Sequence, residues 1–191
     1  MSRPIGLRPM PSPPVITAVS RGALGGSMIV RMGGTTPATG TSPWSDAANS
    51  LLAFPFVIEV DTTFYKGFWV NGSAAGGNSE VGIWDAAYNK IVTTGSVAGS
   101  GNSVPQAAAF ASSATPKLQP GLYYAGMAHS ATTTNQLARM SCGSSGLLQA
   151  AGCWKQAGIT LGSLAATATP GDMTNAVFPF FGLITRTVFD V

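Results

Sequence analysis

Phe64-Tyr65-Lys66-Gly67-Phe68-Trp69-Val70-Asn71-Gly72 opens the stretch that decides the fold. It continues through Val81-Gly82-Ile83-Trp84-Asp85 and Lys90-Ile91-Val92-Thr93-Thr94-Gly95, and closes with Leu118-Gln119-Pro120-Gly121-Leu122-Tyr123-Tyr124-Ala125-Gly126-Met127. Each run is short, rich in β-branched and aromatic residues, and bounded by Gly, Asn, Ser or Pro. That pattern predicts antiparallel strands with tight connections. The clearest unit is a hairpin of residues 80–85 and 90–94 across the turn Ala86-Ala87-Tyr88-Asn89. Asp85 is expected to start that turn by accepting hydrogen bonds from the backbone ahead of it. Alternation in residues 64–70 assigns Phe64, Lys66, Phe68 and Val70 to one face and Tyr65, Gly67 and Trp69 to the other. Aromatic residues on both faces imply that both are covered, the second by a subunit interface.

Working outward, residues 54–60 read as a strand with Pro55 at its start or on a sheet edge. Residues 106–111 and 122–128 are further strands, the latter fed by a turn at Leu118-Gln119-Pro120-Gly121. Residues 177–188 read as a strand pair, or one bent strand, broken at Pro179 and Gly182. Residues 27–32 form a candidate short strand, and residues 45–52 a single helical turn capped by Ser45 or Asp46. Residues 129–172 are expected to be long loops, with short strands around Trp154 and Ile159 to Leu161. Seven or eight short strands at this spacing indicate an all-β protein: an antiparallel β-sandwich, jelly-roll-like, with an extended Pro-rich N-terminal arm. The organisation that follows is an arm of residues 1–20, a loop-rich linker of residues 21–50 and a sandwich body of residues 51–191.

Length and charge narrow the classes. A chain of 191 residues fits one domain with an arm. Charged residues are 9% of the chain, against about 25% in ordinary globular proteins, so solubility rests on a neutral Gly/Ala/Ser/Thr exterior or on burial in an assembly. With 45% hydrophobic residues and a net charge of +3, disorder of the whole chain does not explain the composition. No apolar run is long enough to span a membrane. The N-terminus lacks the apolar core of a secretory signal, so synthesis in the cytoplasm is expected. Cytoplasmic synthesis favours buried thiols over a bridge for Cys142 and Cys153, although the sequence leaves their pairing open.

The arm carries Pro4, Pro9, Pro11, Pro13 and Pro14, which forbid helix interiors and central strands and favour an extended chain. Apolar Ile5, Leu7, Met10 and Val15 alternate with these prolines, unlike a plain spacer. Arg3, Arg8, Arg21 and Arg31 all precede the first acid, Asp46. A basic, apolar arm suits adhesion to a neighbouring acidic protein surface. Four arginines without interleaved aromatics are too sparse to indicate a nucleic acid partner.

Residue types that carry chemistry are few. His129 is the only histidine, which leaves no His-based metal cluster, and no nucleophile motif accompanies it. Its expected place is a strand end. Glu59 and Asp61 lie two apart, but as a paired-carboxylate site they compete with a plainer role, pairing with Lys66 or Lys90 across strands. Asp61 and Asp85 with backbone carbonyls would suit calcium only in an Asp-rich loop, which the chain lacks. The Gly-rich pieces at residues 22–26 and 95–101 have no strand-to-helix context for phosphate binding. No cofactor is expected. Among the aromatics, Trp44 in a loop and Tyr88 in a hairpin turn are the candidates for external contact, while Trp69, Trp84, Tyr123 and Tyr124 belong to strands and their packing.

At residues 67–72, 81–85, 94–96 and 118–125 the chain resembles a β-sandwich module of small tailed-bacteriophage virion proteins, found in head decoration proteins and in tail fibres or tailspikes. The resemblance covers roughly residues 56–130, looks looser at the C-terminal strands and leaves the arm outside. It implies a non-enzymatic virion protein with no catalytic residue to carry over. The expectation is a capsid decoration (cement) protein, a homotrimer whose arm, through Arg3, Ile5, Leu7, Arg8, Met10 and Val15, staples neighbouring subunits of the major capsid protein. The competing expectation is a tail, fibre or head-fibre module that recognises host surface glycans.

Overall fold

The computed structural model describes residues 19–21, 28–31, 49–130, 137–141 and 144–185. The strands in chain order begin with β1 (Val19–Arg21), β2 (Met28–Arg31), β3 (Ser50–Ile58), β4 (Thr62–Thr63) and β5 (Lys66–Val70). Next come β6 (Asn78–Asp85), β7 (Lys90–Thr93), β8 (Val97–Ala98) and β9 (Pro105–Ala109), then a 3-10 turn at Ala111–Ser113. After β10 (Lys117–Leu118), β11 (Gly121–His129) and β12 (Arg139–Ser141) comes one short helix, α1 (Ser145–Ala150). β13 (Trp154–Gln156), β14 (Val177–Pro179) and β15 (Phe181–Ile184) complete the series.

Two antiparallel sheets face each other. One has the order β1-β2-β15-β5-β9, the other β13-β3-β11-β6-β7 with β8 also paired to β6. The chain passes repeatedly from one sheet to the other, as in the expected jelly-roll-like sandwich. The inner faces follow the two-residue period of a strand. Leu52, Phe54, Phe56 and Ile58 of β3, Val81 and Ile83 of β6 and Ala125 and Met127 of β11 meet Trp69 of β5 and Phe181 and Leu183 of β15. Phe178 and Phe181 stack at 5.7 Å between centroids, and Phe54 packs edge-on against Phe178 at 6.0 Å.

Trp69 fastens this core to a loop. Its ring is fully buried, and its indole Nε1–H donates to Asn71 Oδ1 at 3.0 Å. Asn71 Nδ2 in turn donates to Ser100 O at 2.6 Å and Gln106 Oε1 at 3.0 Å, and Gln106 Nε2 donates to Ala98 O at 2.8 Å. A buried indole N–H thus finds its acceptor, as burial requires.

The expected hairpin forms. Gly82, Ile83 and Trp84 of β6 pair with Thr93, Val92 and Lys90 of β7, with a bulge between Ile83 and Trp84. Asp85 opens the turn as anticipated: Oδ1 accepts from Ala87 N and Asn89 N, both at 2.9 Å, and Oδ2 from Asn89 Nδ2 at 3.1 Å. Slight burial raises the carboxyl pKa, but the bonds from Asn89 and Ala87 outweigh it and hold Asp85 below the usual carboxylate value. Pro55 lies mid-strand, where only β11 pairs with β3: β13 stops at Trp154 opposite Ala53. It therefore sits on a sheet edge, where the missing N–H costs no ladder bond.

Several expectations are corrected. Residues 50–52, expected in a helical turn, are strand, because Ser50, Leu51 and Leu52 pair with His129, Ala128 and Met127 in the central ladder; residues 45–48 lie outside the described residues. A helix, α1, appears within the region read as loops; the Ser144 side chain caps it by accepting from Leu147 N. Gly182 does not break its strand but pairs with Phe68 and Arg31. Phe64 leaves the face of Lys66 and Phe68 for the core, because β4 and β5 are separate strands and alternation restarts at Lys66. Asp61 pairs with Lys117 at 2.7 Å, across the β4–β10 ladder, in place of Lys66 or Lys90. The short strand expected at residues 27–32 does form, as β2, which pairs with β15. The described helix is too short to cross a membrane.

Candidate functional site

Much of the outer face of the six-stranded sheet is also buried, and the chain itself covers it. Leu51 and Ala53 of β3, Trp84 of β6, Tyr124 and Ala128 of β11 and Trp154 of β13 form a second buried cluster under Ile159, Leu164 and Ala168. Residues 157–171 act as a strap. Ile159 N donates to Asn49 O at 2.9 Å, Lys90 N to Ala166 O at 2.7 Å and Ala168 N to Tyr88 O at 2.9 Å. Lys90 Nζ donates to Leu164 O. Lys155 and Gly171 exchange backbone bonds at 3.1 and 2.7 Å. This cover lies on the sheet that does not contain β5 and is made of the chain's own residues.

Glu80 is the acid that sequence reasoning passed over. It lies on this outer face, 1% exposed, and its Oε2 accepts from Gly162 N at 2.6 Å. A carboxylate under an apolar strap is costly without such a donor, so the bond ties the strap to the sheet. The sequence signal was slight: an acid at an even position of a strand whose following even positions, Gly82 and Trp84, are apolar.

Tyr88 is where the turn predicts it, at φ 64. A bulky residue in the left-handed region is an outlier, and its ring supplies the compensation: Tyr88 lies 5.2 Å from Tyr124 and 5.8 Å from Trp154 between centroids. It is half-buried in the aromatic cluster. Burial raises the Tyr124 phenol to about 12, reinforced by the Tyr88 hydroxyl. An acid held protonated in the fold contributes stability that is fully present below its unfolded pKa, near 10, and is lost as pH rises through about 12. Alkaline titration followed at 295 nm is expected to show a late phenol ionisation, which Tyr124→Phe is expected to remove.

His129 ends β11, as expected, and is fully buried with Nδ1 3.0 Å from Ser79 Oγ. Ser50 faces it from β3. These three residues form a row across three strands, closed to solvent. Among the described residues no three His, Cys, Asp or Glu side chains gather at a metal-like spacing. Cys153 is buried in the inner core, and Cys142 lies outside the described residues.

Two surface features remain. The first is a shallow depression of about 170 Å³ lined by Tyr65, Lys66, Ala109, Ser113, Ala114 and Thr115. Ser112 and Ser113 at its rim both adopt left-handed backbone, φ 58 and 54. The second is the corner where the strap runs out. Val57 of β3 and Leu122 of β11 stand directly opposite each other, Leu122 at 41% exposure, and Val60 beyond the strand end is 67% exposed. Exposed Glu59 and Val60 follow the end of β3.

Of the residues singled out from sequence, Arg3, Ile5, Leu7, Arg8, Met10, Val15 and Trp44 lie outside the described residues, and only Tyr88 is placed. No family model, no curated protein and no solved structure matches this chain.

Proposed function

We propose that this chain is a non-enzymatic virion protein that decorates a bacteriophage head, assembled as a homotrimer and bound to the major capsid protein. The observation that carries the reading is the uneven distribution of charge. Four of the ten basic residues precede the first acid: Arg3 and Arg8 lie among the prolines and apolar residues of the arm, and Arg21 and Arg31 in β1 and β2. In the body, Glu80 ties the strap, Asp85 holds a turn and Asp61 pairs with Lys117. A body whose larger sheet is largely covered on both faces leaves adhesion to the arm and to small surface patches. Stapling of this kind is non-covalent, and each Å² of apolar surface removed from water contributes about 25 cal/mol. Repetition around a particle multiplies a modest contact.

Co-sedimentation with undecorated capsids tests the role of the arm. The full chain is expected to bind, and a chain lacking residues 1–18 is expected to lose at least tenfold in affinity, about 1.4 kcal/mol. Equal binding of the two would assign the contact to the body and refute the arm's role.

The depression beside Tyr65 favours a second reading, a module for host surface glycans. An aromatic ring, an ammonium and the hydroxyls of Ser113 and Thr115 over an apolar floor are the groups a sugar uses. Glycan-array binding that Tyr65→Ala abolishes would favour this reading over decoration.

A further inference from the structure

The depression beside Tyr65 has walls fixed by the backbone. Lys66 of β5 and Ala109 of β9 are paired across their ladder, so both side chains stand on the face of the five-stranded sheet opposite to Trp69. Tyr65 N donates to Ile184 O at 2.9 Å and Phe64 N to Pro116 O at 3.0 Å. These bonds hold the segment of Ser113, Ala114 and Thr115 beside the start of β5. Ala114 N donates to Ala111 O at 3.2 Å and closes the 3-10 turn that delivers Ser113. Ser112 and Ser113 both stand in the left-handed region, at φ 58 and 54. Two such residues in succession, neither a glycine, persist only where the surroundings hold them, and backbone of this kind gathers at ligand clamps.

The lining also has a sign. Lys66 supplies the one charge among the six lining residues, and no acid is among them. Asp61, the acid nearest to them in the sequence, pairs with Lys117 at 2.7 Å. The other lining groups are the phenol of Tyr65, the hydroxyls of Ser113 and Thr115 and the methyls of Ala109 and Ala114. We propose that this depression binds one acidic monosaccharide unit, a pyranose ring that carries a carboxylate, as in a uronic or sialic acid. The inference rests on the glycan reading given above and names the class of sugar. The carboxylate meets Lys66 Nζ, the C–H face of the ring lies on Tyr65 and the two alanines, and the ring hydroxyls bond Ser113 and Thr115. A volume of about 170 Å³ suits one ring and not a run of sugars. A compact ammonium acts as a point charge, so the carboxylate is what sets the acidic unit apart from its neutral counterpart. A single ring on an open surface is held weakly, in the millimolar range, and gains avidity where several copies are displayed together.

The test is a ligand-observed NMR titration of the full chain with methyl glucuronide, a methyl sialoside, methyl glucoside and acetate, with folding of each variant checked by circular dichroism. At least one acidic sugar is expected to bind about fivefold tighter than methyl glucoside, a preference that shrinks as salt is raised to about 0.5 M. Lys66→Gln is expected to bring the acidic and neutral sugars level, and Tyr65→Ala to abolish binding of all of them. Ser113→Gly keeps the left-handed backbone open to that position and removes the hydroxyl; it is expected to weaken every sugar about threefold. Acetate is expected not to compete. Equal binding of acidic and neutral sugars, still lost in Tyr65→Ala, would overturn the acidic class and keep the glycan reading. Absence of binding by every sugar would overturn both. Acetate that competes as well as the acidic sugars would reduce the site to a plain anion contact and overturn the proposal. A preference for acidic sugars that persists in Lys66→Gln would place the carboxylate elsewhere and overturn it too.

Discussion

Trp84→Ala is expected to lower the free energy of unfolding by about 3–5 kcal/mol, a large part of the roughly 5–15 kcal/mol that holds such domains folded. Trp84 is 1% exposed and lies across the sheet in a slot made by two glycines that face each other, Gly82 of β6 and Gly126 of β11. A Cβ on Gly126 would stand 2.6 Å from Trp84 Cζ3, and one on Gly82 3.0 Å from Cη2. The indole is therefore the outer face's packing element, sealed above by the strap and met edge-on by Trp154 at 6.3 Å and 87°. Alanine leaves a void bounded by glycines below, which have no side chains to fill it, so collapse is limited. Urea unfolding followed by far-ultraviolet circular dichroism should show a lower midpoint with an unchanged slope. A loss under about 1 kcal/mol would mean that the strap repacks freely and is not the fixed cover described above.

Trp69→Ala is expected to cost a similar 3–5 kcal/mol, by a different route. Trp69 fills the space between the sheets, and its Nε1–H also satisfies buried Asn71. Its removal opens a cavity and deprives Asn71 Oδ1 of its donor, and Asn71 anchors the loop through Ser100 and Gln106. Trp69→Phe narrows the comparison, since it keeps an aromatic ring in the core while removing the N–H together with the rest of the five-membered ring. That variant is expected to lose about 1–3 kcal/mol, with faster amide exchange in residues 99–106. Exchange in that loop unchanged by Trp69→Phe would show that the Asn71 network stands without the indole.

The strands were legible because their periodicity is strong. The β6–β7 hairpin follows from two alternating runs around an Asp-led turn, and β11 follows a Pro-Gly turn that ends β10. What stayed hidden depends on contacts between residues far apart in sequence. The strap is Thr, Ala, Gly and Ser with sparse apolar residues, so nothing local marks Ile159, Leu164 and Ala168 as lids; their burial is set by Leu51, Trp84 and Tyr124, up to about a hundred residues away. Glu80 looked like a hairpin entry because its partner, Gly162, lies 82 positions on. Pro55 read as an edge marker, and it is one, because the shortness of β13 creates the edge. The helix α1 is only six residues long and too short to show a helical period. Of the candidate contact residues, Tyr88 announced its turn but not its ring contacts, since left-handed backbone at a tyrosine makes sense only beside Tyr124 and Trp154.

The decoration role is tested most directly by titrating the full-length protein onto purified, undecorated capsids of its phage and counting bound copies at saturation. Binding that saturates at three copies per symmetric site, and that raises the temperature at which filled heads release DNA, is the expected result. Absence of saturable binding, with heads releasing DNA at the same temperature whether or not the protein is present, would contradict it.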